Sequence, residues 1–227
     1  MTYGSLLTEL GYSGNILKAH AGDFSVPSFT IDAPFKGAYG FPPIIVPLWS
    51  NGAWPGYIGI STKWFGMKEE GFLSYYSESQ IISEIAKSFE QLAAWLTFDF
   101  LCNIPNESEV GRFAESIGLC RPGEVERYFD GCSDINDLSR LAVFKSDLPQ
   151  AVVGGRGNVQ PAWVQKGVNK NRVMSLLDNG DFVGAWYAIN SPGLSRGEIR
   201  NFLDIIAPFA EDERFFHLVE CWCRANP

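Results

Sequence analysis

Residues 44–61 read IIVPLWSNGAWPGYIGIS, and the predicted fold class rests on them. Its first six residues are apolar and rich in β-branched types, as in a buried strand, and Ser50-Asn51-Gly52-Ala53 favours a turn. Tyr57-Ile58-Gly59-Ile60-Ser61 predicts the return strand of a β-hairpin whose loop is longer than two residues. A third strand is expected at Phe72–Tyr76, after a turn at Glu69-Glu70-Gly71.

A long amphipathic helix is predicted directly after the third strand. Ser77 or Ser79 is its candidate N-cap, and the helix is expected to run to about Phe98. Its apolar positions recur at steps of three and four: Ile81, Ile82, Ile85, Ala86, Phe89, Leu92, Ala93 and Leu96. Strands followed by such a helix predict an α+β fold, in which an antiparallel sheet is covered by the helix.

The N-terminal segment is weakly patterned. We expect short helices around Ser5–Leu10 and Asn15–His20. Pro27 and Pro34 bracket a candidate strand at Ser28–Ile31, because proline interrupts regular structure on either side of it.

Strand signals fade after Asn103, so the rest of the chain is predicted to be mostly helical. Asn179-Gly180 is a helix stop, and Ser195 ahead of Glu198 is a helix start. The expected helices are Glu107–Ser116, Pro122–Phe129, Asp134–Phe144, Lys170–Asn179, Asp181–Asn190, Arg196–Ala207 and Glu211–Arg224. Residues 149–162 are rich in Gly and Pro and predict a linker or loop. We therefore expect an α+β domain at residues 1–105 and a helical region at residues 106–227.

The charge of the chain is concentrated in its middle third. The net charge is −8, and residues 69–137 carry fourteen acids and four bases, whereas the segments before and after each carry +1. Such acidity repels nucleic acid but attracts a basic protein. The segment is therefore interpreted either as a solvated, solubilising face or as a binding face for a basic protein partner.

The composition favours a globular protein of the cytoplasm. With 46% hydrophobic and 19% charged residues the chain can bury a core, and no run of 18 apolar residues predicts a membrane span. The N-terminus lacks the basic region of a secretory signal. Five cysteines, an odd number in a chain without a predicted signal peptide, favour reduced thiols. We expect no contact with membranes, and the oligomeric state stays open.

Residues that would carry catalysis or bind a metal are sparse. The two histidines, His20 and His217, lie far apart and in no recognisable motif, and HExxH is absent. Residues 154–158 share only glycine content with a phosphate loop. The carboxylate pairs stand in polar surroundings, which favours ordinary surface charge: Glu69-Glu70, Glu124/Glu126 and Asp134/Asp137. We therefore predict no catalytic, cofactor-binding or metal-binding residue.

The aromatic residues of the hairpin are the remaining signal. Trp54 stands in a Trp-Pro-Gly turn, where an indole at a loop tip is a typical interface anchor, although packing on the sheet is the alternative interpretation of Trp54 and Trp64. Trp49 and Trp95 are expected to be core residues. The candidate partner-binding residues are Trp54, Tyr57, Trp64, Glu69, Glu70 and Glu78.

Residues 41–96 resemble the SMI1/KNR4 family, also called the SUKH superfamily. The resemblance is carried by the helix motif EIAKSFEQLAAWL at residues 84–96 and, more loosely, by Pro47, Gly56 and Tyr57 in the hairpin. It implies an α+β fold without catalysis, and many bacterial members look like immunity proteins that neutralise a toxin by direct binding. The resemblance therefore predicts a non-enzymatic protein-binding module that neutralises a toxin, and the acidic middle third fits a basic toxin as the partner. A regulatory or scaffolding adaptor and a carboxylate-dependent hydrolase are the alternatives.

Overall fold

The structure is a computed structural model of the 227-residue chain and describes residues 2–27, 40–51, 56–66, 71–104, 106–129, 135–145, 147–153 and 159–226. Its regular elements are α1 Tyr3–Glu9, α2 Asn15–Ala21, β1 Ile45–Asn51, β2 Gly56–Ser61, β3 Phe72–Tyr76, β4 Ile81–Ala86, α3 Phe89–Asn103, α4 Glu107–Ser116, α5 Pro122–Phe129, α6 Gln150–Val153, α7 Lys170–Asp178, α8 Phe182–Ile189, α9 Arg196–Ile206 and α10 Glu213–Ala225. Short 3-10 segments cover Ile135–Arg140, Ala142–Phe144 and Ala207–Phe209.

The strands form one antiparallel sheet in the order β1-β2-β3-β4, so each strand pairs with the next along the chain. Trp49 stands opposite Ile58, and Ile58 stands opposite Ser74 on the next strand. α3 and α6 pack against β4, and α2 packs against β1. The predicted α+β class, with its antiparallel sheet and predominantly helical C-terminal region, is confirmed.

The fourth strand corrects the predicted long helix. Ile81–Ala86 pairs with β3 from end to end, with one register irregularity at Ile85. The helix begins only at Phe89, where the Ser88 hydroxyl accepts a hydrogen bond from the Gln91 amide. Five of the six β4 residues are buried, and a strand buried on both faces loses its alternating pattern and reads like a helix. The family-like motif at 84–96 therefore spans a strand end, a cap and a helix.

Gln91 fixes the start of α3 to a distant part of the chain. Its side-chain oxygen accepts a hydrogen bond from the Lys87 amide at 2.8 Å, and its Nε2 donates to the carbonyls of Val143 and Asp147 at 3.1 and 2.7 Å. A buried amide costs free energy unless such bonds are made. These bonds hold Val143, in the second 3-10 segment, and Asp147 against the first turn of α3.

The C-terminal helices confirm most of the sequence prediction. α4 and α5 have the predicted bounds, and α7 to α10 agree within two residues at each end. Their N-caps accept backbone N–H groups, and Ser195 and Glu198 form a complete capping box.

Three predicted segments have a different outcome. Over residues 135–144 two 3-10 segments replace the helix expected at Asp134–Phe144. The predicted linker at 149–162 contains the short helix α6. The candidate strand at Ser28–Ile31 lies outside the described residues, as do residues 154–158.

Three buried hydrogen bonds join the sheet to the C-terminal helices. The Ile44 amide donates to Asn190 Oδ1 at 2.6 Å, and the Phe41 amide donates to Asn226 Oδ1 at 3.0 Å. The Trp222 indole donates to the Phe41 carbonyl at 2.7 Å. Side chains from both regions also share one hydrophobic core. The domain boundary near residue 105 stays a prediction, and these hydrogen bonds and core contacts connect residues on its two sides.

Candidate functional site

Three of the six predicted partner-binding residues lie in the described part of the chain, and two of them are buried. Tyr57 and Trp64 are each only 3% exposed, whereas Glu78 is exposed in the turn between β3 and β4. This burial corrects the interpretation of Tyr57 and Trp64 as exposed anchors. The other three candidates lie outside the described residues: Trp54, Glu69 and Glu70.

The C-terminal helices bury the aromatic residues that follow the hairpin. The ring centroid of Trp64 lies 5.1 Å from that of Phe215 on α10, and the Trp64 indole donates to the Thr62 hydroxyl at 2.6 Å. Phe65 packs 5.9 Å from Trp186 on α8. The sequence of the hairpin does not reveal this burial, because the helices that cover these rings come much later in the chain. The aromatic residues of this segment therefore mark the hydrophobic core and not a binding surface.

Glu78 borders a cleft of about 360 Å³ between the sheet and the C-terminal helices. One wall comes from β3, the β3–β4 turn and the start of β4, and includes Tyr75, Glu78 and Ile82. The other wall comes from the loop between α8 and α9 and the first residues of α9. This volume falls in the range of small-molecule sites, roughly 300–1,000 Å³. Both regions of the chain are therefore needed to form the cleft.

The loop that forms the second wall is held by its own polar side chains. Asn190 is 2% exposed, and its Nδ2 donates to the Trp186 carbonyl at 2.8 Å while its Oδ1 accepts from Ile44. The Ser191 hydroxyl donates to the Tyr187 carbonyl at 2.6 Å. These groups have structural partners, so the charged side chains of the cleft, Glu78 and Arg196, are the ones available to a ligand.

Tyr75 contributes a phenol to the cleft. Burial raises the pKa of Tyr75 to about 12, the neighbouring Tyr57 adds to the increase, and the positive charge of Arg196 opposes it. The hydroxyl is therefore protonated at neutral pH and can donate a hydrogen bond. It is a poor base and a poor nucleophile under the same conditions.

The two histidines make structural contacts away from the cleft. His20 Nδ1 lies 3.1 Å from the Pro47 carbonyl on β1, and His217 Nδ1 lies 2.6 Å from Glu9 Oε2. The second contact joins α10 to α1. Within the described residues, no group of three or more His, Cys, Asp or Glu side chains is arranged to hold a metal ion.

Asp99 on α3 is a perturbed carboxyl that the sequence did not reveal. Burial raises its pKa to about 6. Its negative charge in turn raises the pKa values of Tyr76 and Cys102, in both cases after burial as the larger cause. A single aspartate between apolar helix residues carries no sequence signal for this, because desolvation depends on which elements cover it.

An exposed apolar patch lies on the C-terminal helices, and it too was missed. The rings of Phe182 and Phe209 stack with centroids 4.4 Å apart, and Phe209 is 52% exposed. Ile205, which is 44% exposed, lies four residues before Phe209 at the end of α9, and Val183 is also exposed. We define the apolar patch as Phe182, Val183, Ile205 and Phe209.

Exposed carboxylates flank the apolar patch along the chain. Asp181 precedes Phe182, Asp204 precedes Ile205, and Glu211 follows Phe209 by two residues. Asp181 also caps α8, because its carboxylate accepts the Gly184 amide at 2.8 Å. We call Asp181, Asp204 and Glu211 the acidic rim.

The acids of the middle third lie on several elements of the described residues. α4 and α5 together carry five acids and two bases. Glu84 is buried against Lys87 with a 2.8 Å ion pair, and Glu124 lies 3.7 Å from Arg121. Within the described residues, the charge imbalance of residues 69–137 is therefore spread over several elements and not concentrated on one of them.

Comparisons with known proteins add no relative. The chain matches no model of a known protein family, no curated protein and no solved structure at a significant level. The resemblance to the SMI1/KNR4 family therefore stays a prediction. Among the described helices, none has both the length and the apolar character needed to cross a membrane.

Proposed function

We propose that this chain is a non-enzymatic protein-binding module that neutralises a basic protein toxin by direct, stoichiometric binding. The observation that carries the proposal is the apolar patch with its acidic rim. Contiguous exposed apolar surface bounded by polar residues is typical of protein interfaces. The acidic rim is complementary to a basic partner and would speed its association.

Part of the apolar patch stays exposed to solvent even though two of its rings stack on each other. Phe209 is half exposed, although stacking on Phe182 already covers one of its faces. Its free face and Ile205 would be desolvated by a partner, and such burial yields about 25 cal/mol for each Å² of apolar surface. The patch can therefore supply affinity, and the rim can supply selectivity for a basic surface.

The alternative of a carboxylate-dependent hydrolase predicts a pocket that joins polar groups from both halves of the chain, and the cleft has that form. Among the described residues that line it, none is a histidine or a cysteine, and its one carboxylate, Glu78, is exposed. A general acid with a raised pKa needs desolvation. The cleft groups therefore favour binding over turnover.

A protection assay tests the proposed function. The full chain is co-expressed with the product of the gene next to its own, and the growth of the host is measured. We expect protection by the unaltered chain and a complex of the two proteins in equal amounts. Toxicity that persists beside a well-expressed chain, with no complex formed, would overturn the proposed function for that pair.

Matched variants locate the binding surface. Phe209→Ser should weaken the complex at least about fivefold in calorimetry, since a desolvated apolar side chain at an interface centre contributes more than about 1 kcal/mol. Leu148→Ser is the control, because Leu148 is 38% exposed and lies in the loop before α6. Asp204→Asn should mainly slow association, with an effect that fades in high salt. Equal binding by Phe209→Ser and the unaltered chain would place the interface elsewhere.

A further inference from the structure

The cleft presents one charge of each sign on separate walls. Glu78 projects from the β3–β4 turn, and Arg196 is the first residue of α9. Both side chains are exposed, and within the described residues neither belongs to an ion pair. Glu78 and Arg196 therefore do not form an ion pair with each other, and each can pair with a charged group of a ligand.

Arg196 lies against the backbone of Gly40. A Cβ added at Gly40 would lie 2.6 Å from Arg196 Nε, which is closer than real side chains come. Glycine at this position therefore leaves room for the guanidinium beside the start of the sheet region. The same guanidinium acts on Tyr75, where its charge opposes the increase in pKa caused by burial. Arg196 and Tyr75 thus face one space, and both can donate to an anion.

The remaining surface of the cleft is largely apolar. Pro192, Leu194 and Ile199 are partly buried and extend the wall next to Arg196, and Ile82 lies on the sheet side. Few precisely placed polar groups among apolar ones are typical of small-molecule sites. A ligand here would bury an apolar body and present its charges at the two walls.

We propose that the cleft binds a small zwitterion of the amino-acid class, a free amino acid or dipeptide with apolar side chains. Its carboxylate pairs with Arg196 and accepts a hydrogen bond from Tyr75, and its ammonium group pairs with Glu78. A ligand with one charge leaves either Glu78 or Arg196 unmatched, whereas a zwitterion satisfies both. The volume of about 360 Å³ accommodates either form. This site is separate from the apolar patch, so it does not depend on the proposed function.

Calorimetry with four probes tests the proposal on the full chain. L-leucine and L-leucyl-L-leucine are zwitterions of different length, and their relative affinity identifies the preferred form. The N-acetyl dipeptide lacks the ammonium group, and the dipeptide amide lacks the carboxylate. We expect a zwitterion to bind at least tenfold more tightly than either capped form, because charge-assisted hydrogen bonds are the strong ones.

Charge-neutral variants assign each end of the ligand. Arg196→Gln should weaken the zwitterion about tenfold and remove its advantage over the amide, and Glu78→Gln should remove its advantage over the N-acetyl form. Arg200→Gln, one helical turn along α9, and Glu90→Gln are the matched controls, since both side chains are exposed. Gly40→Ala should weaken the carboxylate contact without removing a charge.

Three results would overturn the inference. The first is that neither zwitterion binds at millimolar concentration. The second is that a capped form binds as tightly as the zwitterion. The third is that Arg196→Gln binds the zwitterion as tightly as the unaltered chain does. Near-ultraviolet circular dichroism of each variant shows that its fold is intact.

Discussion

Two segments with similar sequence patterns form different secondary structures: Ile81–Ala86 and Arg196–Ile206. Both have apolar residues at helical spacing, yet the first is the strand β4 and the second is the helix α9. Ser195 and Glu198 form a capping box directly before and within α9. The residues before β4 form a turn in which Gln80 has a positive φ of 52°. Local capping residues therefore set the helical structure of Arg196–Ile206, whereas pairing with β3 sets the strand structure of Ile81–Ala86.

The same contrast separates the two binding features. The apolar patch lies on consecutive elements of the helical region, whereas the cleft requires the sheet and the helices together. Disturbing the contacts between the regions should therefore affect the cleft first.

Trp222→Ala should destabilise the whole protein by about 3–5 kcal/mol, since it removes a large core side chain. Trp222 is 1% exposed and also donates to the Phe41 carbonyl. Urea unfolding followed by circular dichroism measures the change. Phe216→Ala on the same helix is the control, because Phe216 is 50% exposed and should change stability by less than about 0.5 kcal/mol. Two separate transitions, with only one shifted, would show that the regions unfold independently.

Asn190→Ala should cost about 1–3 kcal/mol, because it leaves the buried Ile44 amide without its acceptor. Thermal unfolding compares it with Asn201→Ala, an exposed position on α9 that we expect to be near neutral. Zwitterion binding should also weaken in Asn190→Ala, since Asn190 holds the loop that forms one wall of the cleft. An unchanged melting temperature would contradict the role given to this bond.

Ser88→Ala and Ser195→Ala should each cost about 1 kcal/mol, because each removes an N-cap hydrogen bond. Chemical shifts of the two variants sharpen the comparison between β4 and α9. Residues 81–86 should keep strand shifts in Ser88→Ala, since pairing with β3 holds them. If these residues became helical, the cap and not the pairing would have set the boundary.

Asp99→Asn should produce the smallest effect, at most about 1 kcal/mol for a partly exposed group. Burial raises the carboxyl pKa in the folded protein to about 6, above the value of about 3.9 in an unfolded chain. The folded state therefore binds the proton more tightly, and stability falls as pH rises from about 4 to about 6. The variant should gain stability relative to the unaltered chain at pH 7 and not at pH 4. Equal differences at the two pH values would contradict this.

The site was less predictable than the fold. Tyr57 and Phe209 are both aromatic residues beside turn-forming segments, yet one is 3% exposed and the other 52%. The rings of Phe41 and Tyr75 pack against Tyr57, with centroids 5.0 and 6.4 Å from its own, and the sequence around Tyr57 does not indicate this packing. Glu78 was correctly expected at the surface, but nothing near it in sequence indicates Arg196, which lies across the cleft.

The hairpin, the third strand and the C-terminal helices follow from local sequence, because turn residues, caps and periodicity act over a few neighbours. The packing of the whole chain is needed to make residues 81–86 a strand, since a pattern of buried residues on both faces fits a strand or a helix. It also decided the burial of Trp64 and the opposition of Glu78 to Arg196. These depend on how α8, α9 and α10 pack on the sheet, through contacts between residues more than a hundred positions apart.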